Sequence, residues 1–389
     1  LADEGLIGMR ILHLLKTGVG ASWALHQVRE LVRLGMDVHV AMPLGPMVER
    51  FAAVGANVHP FQADIAAHRP WAWPALLTSL RALVDQIAPD LIHSHFVGTT
   101  ATMRLALSQS EIPRVFQVPG PLHLEHPFYA RAELSLAGPQ DHWIAACRWT
   151  QDAYRMHGIS ARRVSLSYYT TDLARFTPAA DDGSLRRALG LNAQTAVIGM
   201  VAYCYPPKRY LGQRRGIKGH EDFIDAIAWC RANGADVVGV VVGSAWGRAE
   251  WYERQVHAYA MARCPGGIHF LGHRNDVAAL YAGFTIAVHP SLSENVGGAL
   301  ESSLMAVPTI ATATGGFPDL IRPGKTGWLV PPASATRLGQ TILQVLDDPM
   351  TANQMAANAR AQALEQFSSE RLGREIRDIY RQILGRSPA

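Results

Sequence analysis

Two carboxylates, Glu294 and Glu301, flank a Val-Gly-Gly turn in PSLSENVGGALESSLMAVP (290–308), directly after the apolar run FTIAVH. Where a strand hands over to a helix at such a turn, the backbone amides are donors aimed at an anion. A diphosphate on the Gly297 and Gly298 amides leaves each carboxylate to accept hydrogen bonds from neutral hydroxyls on its own side. A ligand with a diphosphate in its middle and polyols at both ends is a nucleotide sugar. A helix beginning near Gly298 puts Glu301 in its first turn, where the helix dipole alone favours an acid by ~0.3–1 kcal/mol. Glu294, in the loop, has no such structural reason to be acidic.

Phosphate also calls for cations. The stretch YPPKRYLGQRRGIKGHEDF carries Lys208, Arg209, Arg214, Arg215 and Lys218, and no Asp or Glu occurs from Gly183 through His220. Arg209, Arg214 and Arg215 fit phosphate binding and a solvated insertion equally well, whereas Lys218, beside Gly219 at a helix entrance, is better placed for a ligand. In KTGVGASWALHQVREL, Gly18 and Gly20 suit close approach to an anion or sugar, and equally a tight strand-to-helix connection, since Trp23 stands where a third glycine would be. His93 and His95 in HSHF fit either the lining of an acceptor site or packed polar side chains. Trp71 and Trp73 in HRPWAWP read first as packing.

All these residues fall where strands meet helices. RILHLL, MDVHVAMP, DLIHSHF, RVFQVPG and DHWIAAC are short apolar runs separated by amphipathic stretches such as WPALLTSLRALVDQIAP. That alternation predicts an α/β protein with parallel strands buried on both faces and crossover helices between them. The pattern restarts after PAADDGSLRRALGLNAQ with AVIGMVAY, ADVVGVVVG, GIHFLG, FTIAVHP, PTIATA and TGWLVP, so Asp181, Asp182 and Gly183 are placed in a linker to a second doubly wound domain. In such sheets ligands bind beyond the carboxyl ends of the strands. The tail is helical, with Leu372, Ile376, Ile379 and Ile383 on one face of its last helix.

With 389 residues the chain is long enough for two cores. A net charge of +4 and the lack of a long Lys/Arg tract exclude a broad nucleic-acid footprint. Cys147, Cys204, Cys230 and Cys264 show neither disulfide nor zinc spacing, which predicts a reducing compartment. LADEGLIG lacks a signal-peptide pattern and precedes Met9, read as a natural start behind an upstream extension; no apolar run reaches the roughly 18 residues of a membrane span.

On these residues the chain resembles the retaining family-4 glycosyltransferases of the GT-B fold. The likeness runs from ILHLL through DLIHSHF, WIAACRWTQDAY, DLARF, KGHEDFIDAI and HFLGHRNDVAALY to HPSLSENVGGALESSLMAVPTIATATGGFPDLI and GKTGWLVPP. It implies two Rossmann-like domains facing a central cleft. The acceptor-side domain would span 1–180, completed by a helix crossing back at about 368–389, and the donor domain 181–367. It further implies that Glu301 binds ribose hydroxyls and that Glu294 contacts the transferred sugar, with Asn295, Val296 and Gly297 as adjoining donors. Lys218 would stabilise the departing diphosphate, Gly272, His273, Arg274 and Val277 would pack the nucleobase, and Gly18 to Gly20 would cover the phosphates.

Three departures stand out. Glu294 and Glu301 give E-x6-E where the family has E-x7-E, so Ser293 or Glu294 holds the first position. Tyr203 stands at the register of a family Arg, with Arg209, Arg214 or Arg215 to replace its charge. Pro119 stands at the register of a family His, with His123 or His126 as substitute. The expected activity is retaining transfer by front-face substitution, with the nucleotide sugar as co-substrate and no cofactor. No metal is expected, since the chain has no D-x-D motif. The expected partners are a glycan or lipid-linked acceptor, at a cytoplasmic location with peripheral contact to the inner face of the cell membrane; nucleic acid is not expected. A nucleotide-sugar epimerase and a non-catalytic nucleotide-sugar-binding protein are the alternatives.

Overall fold

The computed structural model describes residues 8–65, 68–209 and 212–385, so most of the N-terminal stretch read as an extension lies outside the described residues. The chain divides into two compact units, Leu1–Thr171 with Phe367–Ala389, and Asp172–Gln366. The first boundary therefore falls ahead of the linker expected at 181–183.

Among the described residues the first unit holds seven strands: β1 (Arg10–Leu14), β2 (Asp37–Met42), β3 (Asn57–Pro60), β4 (Leu91–His95), β5 (Arg114–Gln117), β6 (Asp141–Ala145) and β7 (Val164–Leu166). They pair in parallel in the order β3-β2-β1-β4-β5-β6-β7. The strand order reverses between β1 and β4, and there His13 and His93 are register partners. β4 is buried at every residue although His93, Ser94 and His95 are polar. Successive residues face opposite layers: Ile11 joins one core with the helices Ser22–Arg33 and Ser369–Ile383, and Leu12 and Leu14 join another with Trp73–Ile87.

The helix Ser369–Ile383 belongs to this unit although the second unit intervenes in sequence. Ser368 caps it, its hydroxyl accepting from the Arg371 amide at 3.3 Å. Leu372 and Ile376 are buried, and Ile379 and Ile383 pack at the edge of the same core. Each fully buried side chain of this kind contributes roughly 1.5–3 kcal/mol, which is what holds the returning segment in place.

The second unit holds β8 (Ala196–Val201), β9 (Val237–Val242), β10 (Ile268–Phe270), β11 (Ile286–His289), β12 (Thr309–Thr312) and β13 (Trp328–Val330). They too are parallel, in the order β10-β9-β8-β11-β12-β13, and reverse between β8 and β11. β3 and β7 were not read as strands from the sequence. Both are short edge or near-edge pieces, one half-exposed and ending in proline, and neither carries an apolar run. Among the described residues no helix is long and apolar enough to cross a membrane.

Candidate functional site

In the second unit β11 ends at His289, and the loop from Pro290 leads into the helix Gly297–Leu304. This helix has no side-chain N-cap, so its first amides have no side-chain partner at the reversal point of the sheet, where parallel sheets bind ligands. A second loop is pressed against the first. Gly219 has φ +73°, and a Cβ there would lie 2.1 Å from the Pro290 carbonyl oxygen, so only glycine permits the contact. The Leu292 amide donates to the Ile217 carbonyl at 2.8 Å and completes the junction.

That junction places the Lys218 ammonium against one oxygen of the Glu294 carboxylate, whose other oxygen accepts from the Asn295 amide at 3.0 Å. The neighbouring Ser293 is buried. His289 is buried behind them, bonded to Ser302 at 3.1 Å. Burial, reinforced by the Lys218 charge, lowers its pKa to about 3, leaving it neutral.

Glu301 is the fifth residue of its helix, beyond the first turn, and this corrects the first-turn placement expected above. The dipole argument for an acid there falls away. Burial pushes its carboxyl up to about 7, while Arg175 and the Tyr281 hydroxyl act in the opposite direction. Arg175 is in turn held by the Asn275 carbonyl at 2.6 Å, and the Tyr281 hydroxyl lies 3.2 Å from the Gly298 carbonyl. Neither Arg175 nor Tyr281 was singled out from the sequence; Arg175 lies in the quoted DLARF segment.

Other expected donor residues are distributed unevenly. Gly297 is exposed, Gly298 is half-buried, and Asn295 and Val296 are buried. Gly272 and His273 follow β10, and Val277 opens the short helix Val277–Ala282. Arg274 is exposed and paired with Asp276 at 2.5 Å. Arg215 is bound by Asp222 at 2.6 Å and Asp225 at 2.8 Å, both on the helix His220–Ala232, so it is withdrawn as a phosphate ligand. Arg209 is exposed.

In the first unit, the expected acceptor-side histidines are corrected. His93 and His95 are fully buried with His13, which sequence reasoning missed. His13 Nδ1 lies 3.0 Å from His95 Nε2, while the Tyr169 and Tyr380 hydroxyls take His95 Nδ1 at 3.0 Å and His93 Nδ1 at 2.6 Å. Burial holds all three pKa values down, His13 to about 3. Their nitrogens lie within 4.8 Å of one another, near enough to surround a metal ion, yet His93 and His95 stack at 4.3 Å and the closest nitrogens already stand at hydrogen-bond distance. The arrangement reads as a hydrogen-bonded core chain that holds Tyr380 of the returning helix. The signal was the alternation in HSHF opposite the histidine of ILHLL, which puts all three on one face.

His123 is likewise buried, 2.9 Å from the Tyr154 hydroxyl and lowered to about 3 by burial, which favours a core histidine over the catalytic one expected above. His126 is half-buried before the helix Pro127–Ser135, against Tyr129. Gly18 is buried against Gly45: a Cβ on it would meet the Pro43 carbonyl oxygen at 2.5 Å, which explains the glycine by packing; Gly20 is exposed. Trp71, expected to pack, is 75% exposed. Among the described residues no disulfide forms, and Cys147, Cys204, Cys230 and Cys264 are all buried.

Two family models match most of the chain between them: "Glycosyltransferase Family 4" over residues 20–175 and "Glycosyl transferases group 1" over residues 209–362. The chain belongs to the family-4 glycosyltransferases, and its two parallel-sheet α/β domains have the GT-B fold. It is 34% identical over 116 residues to N-acetyl-alpha-D-glucosaminyl L-malate synthase of Bacillus anthracis, 30% of each chain. It is 29% identical over 175 residues, 45% of each chain, to alpha-D-kanosaminyltransferase of Streptomyces kanamyceticus. The match thus spans less than half the length of these two curated relatives. HepE of Anabaena, solved with UDP-glucose, shares the fold at a TM-score of 0.80 and 23% identity, over 96% of this chain and 99% of that one.

Proposed function

We propose that this chain is a retaining glycosyltransferase that moves a sugar from a nucleotide-diphosphate sugar to a hydroxyl of a glycan, glycolipid or small-molecule acceptor. The observation that carries the reading is the uncapped N-terminus of the helix Gly297–Leu304, preceded by Glu294 in its pair with Lys218 and followed by Glu301 within the helix. HepE, solved with UDP-glucose, supports the choice of donor class.

In this reading the diphosphate lies on the Gly297 and Gly298 amides and draws Lys218 away from Glu294. The freed Glu294 accepts hydrogen bonds from hydroxyls of the transferred sugar, and Glu301 from the ribose. As the anomeric C–O bond breaks, Lys218 and the helix amides stabilise the charge gathering on the phosphate. The acceptor oxygen attacks on the face the phosphate leaves, and the phosphate takes the acceptor proton, so configuration is retained. No metal is assigned a role, because Lys218 and the amides supply the neutralisation.

A binding protein without turnover is the second reading. It is favoured by the burial of His123 against Tyr154. Incubation with a panel of nucleotide sugars and acceptors separates the readings. Transfer giving a product with the donor's anomeric configuration supports the first, binding without transfer or hydrolysis supports the second, and an epimerised sugar with free nucleotide points to an epimerase. The same reading places the reaction at the cytoplasmic face with a glycan or lipid-linked acceptor. Co-sedimentation with anionic vesicles at low salt tests the membrane contact, and absence of binding removes it.

A further inference from the structure

Beside the proposed donor site, three aromatic side chains, Tyr203, Tyr205 and Trp246, have no role in the reading above. Tyr203 and Tyr205, just beyond β8, and Trp246, beyond β9, form a continuous row of rings with His273. Ring centroids are 5.5 Å apart for Tyr205 and Trp246, 5.1 Å for Trp246 and Tyr203, and 6.2 Å for Tyr203 and His273, the last pair nearly parallel at 14°. The row begins at the proposed phosphate cation, Lys218, whose ammonium is 5.7 Å from the centre of the Tyr205 ring.

The row is both fixed and open. Cys204 bridges Ala245 in parallel, the Cys204 amide donates to Ser244 at 2.9 Å, and the Trp246 amide donates back to Cys204 at 3.2 Å. The Gly243 amide donates to the Gly272 carbonyl at 2.8 Å, tying the turn after β10 to the same frame. Yet Tyr203 is 37% and Trp246 42% exposed. Exposed, rigid aromatic faces are stacking surfaces for planar ligands.

The geometry points to Tyr203 and Trp246, with His273, as the stacking platform for the donor's nucleobase, so that base contact here is aromatic at a register where the family resemblance expects an arginine. The inference rests on the nucleotide-sugar reading proposed above. It assigns Tyr203 and Trp246 as specificity-determining residues: they gain contact with a ring system and none with phosphate charge. Ligands with a diphosphate but no base therefore gain nothing from the platform.

The test is calorimetric titration of the full chain and of Tyr203→Ala and Trp246→Ala with UDP, GDP and inorganic pyrophosphate. Base–aromatic stacking is worth about 1–3 kcal/mol per base, so each variant is expected to lose roughly 5- to 150-fold in affinity for the better-bound nucleotide and none for pyrophosphate. Pyrophosphate binding doubles as the check that a variant keeps its folded site. In the native chain, fluorescence quenching by the nucleotide is expected and is lost in Trp246→Phe. Two substituted proteins that still bind the nucleotide as the native chain does overturn the inference. Equal losses for nucleotide and pyrophosphate overturn it as well, since the rings then act on the phosphates or on the fold. If the native chain binds neither nucleotide, the donor reading itself fails, and the platform with it.

Discussion

The two sheets reverse strand order at equivalent places, β1 beside β4 and β8 beside β11, and use those places in opposite ways. In the first unit the reversal is filled by His13, His93 and His95, fully buried, neutral and closed off by Tyr169 and Tyr380. In the second it carries a partly exposed Lys218–Glu294 pair, uncapped helix amides and a carboxyl that burial raises to about 7. One architecture therefore supports a polar interior lock that retains a helix and an open polar site that is incomplete without a ligand. Possession of a parallel-sheet reversal point does not by itself identify a ligand site; whether its polar groups are buried, as in the first unit, or partly exposed, as in the second, does.

The contrast is broken most sharply by Lys218→Ala. Turnover is expected to fall on the order of 100- to 1000-fold, as for loss of a group that stabilises charge in the transition state, with little change in melting temperature. Steady-state kinetics beside thermal unfolding checks both halves. Tyr380→Phe is expected to do the reverse. It removes the hydroxyl from buried His93, should cost roughly 1–3 kcal/mol in denaturant unfolding, and should leave donor affinity unchanged.

Glu301→Gln sharpens the open side of the comparison. The folded protein holds the Glu301 proton more tightly than the unfolded chain, raising the pKa from 4.5 to about 7. This group's contribution to stability is therefore fully present below about pH 4.5 and lost as pH rises through about 7. Glutamine should remove that part of the pH dependence of unfolding. Donor affinity should rise a few-fold across pH 7 in the native chain, as the ionised carboxylate gains acceptor capacity, and stay flat in the variant. Arg274→Ala should have the smallest effect: the Arg274–Asp276 pair is exposed, so stability should not change measurably.

Much of this was legible in the sequence. The apolar runs named both sheets because parallel strands buried on two faces are mostly apolar, as in Val237–Val242, and Lys218, Glu294 and Glu301 stood out because they follow such runs. β3 and β7 escaped because edge strands need only a few residues and no apolar run. His93, His95 and His123 were open to two readings because a histidine at a strand end is compatible with either, and only the partner hydroxyls, Tyr169, Tyr380 and Tyr154, decide for the core. Arg215 resembled a phosphate ligand until the helix His220–Ala232 turned two carboxylates toward it. The aromatic row was invisible because Tyr203 and Trp246 lie on different strands' ends, and no local spacing reports a contact made through sheet register.

The central claim is that the second unit's reversal point is completed by a nucleotide-diphosphate sugar. A crystal structure of the chain with a bound donor tests it directly. The account predicts the diphosphate on the Gly297 and Gly298 amides, Lys218 moved from Glu294 to a phosphate oxygen, and the ribose hydroxyls on Glu301. A donor bound elsewhere, with the Lys218–Glu294 pair intact and Glu301 untouched, would contradict it.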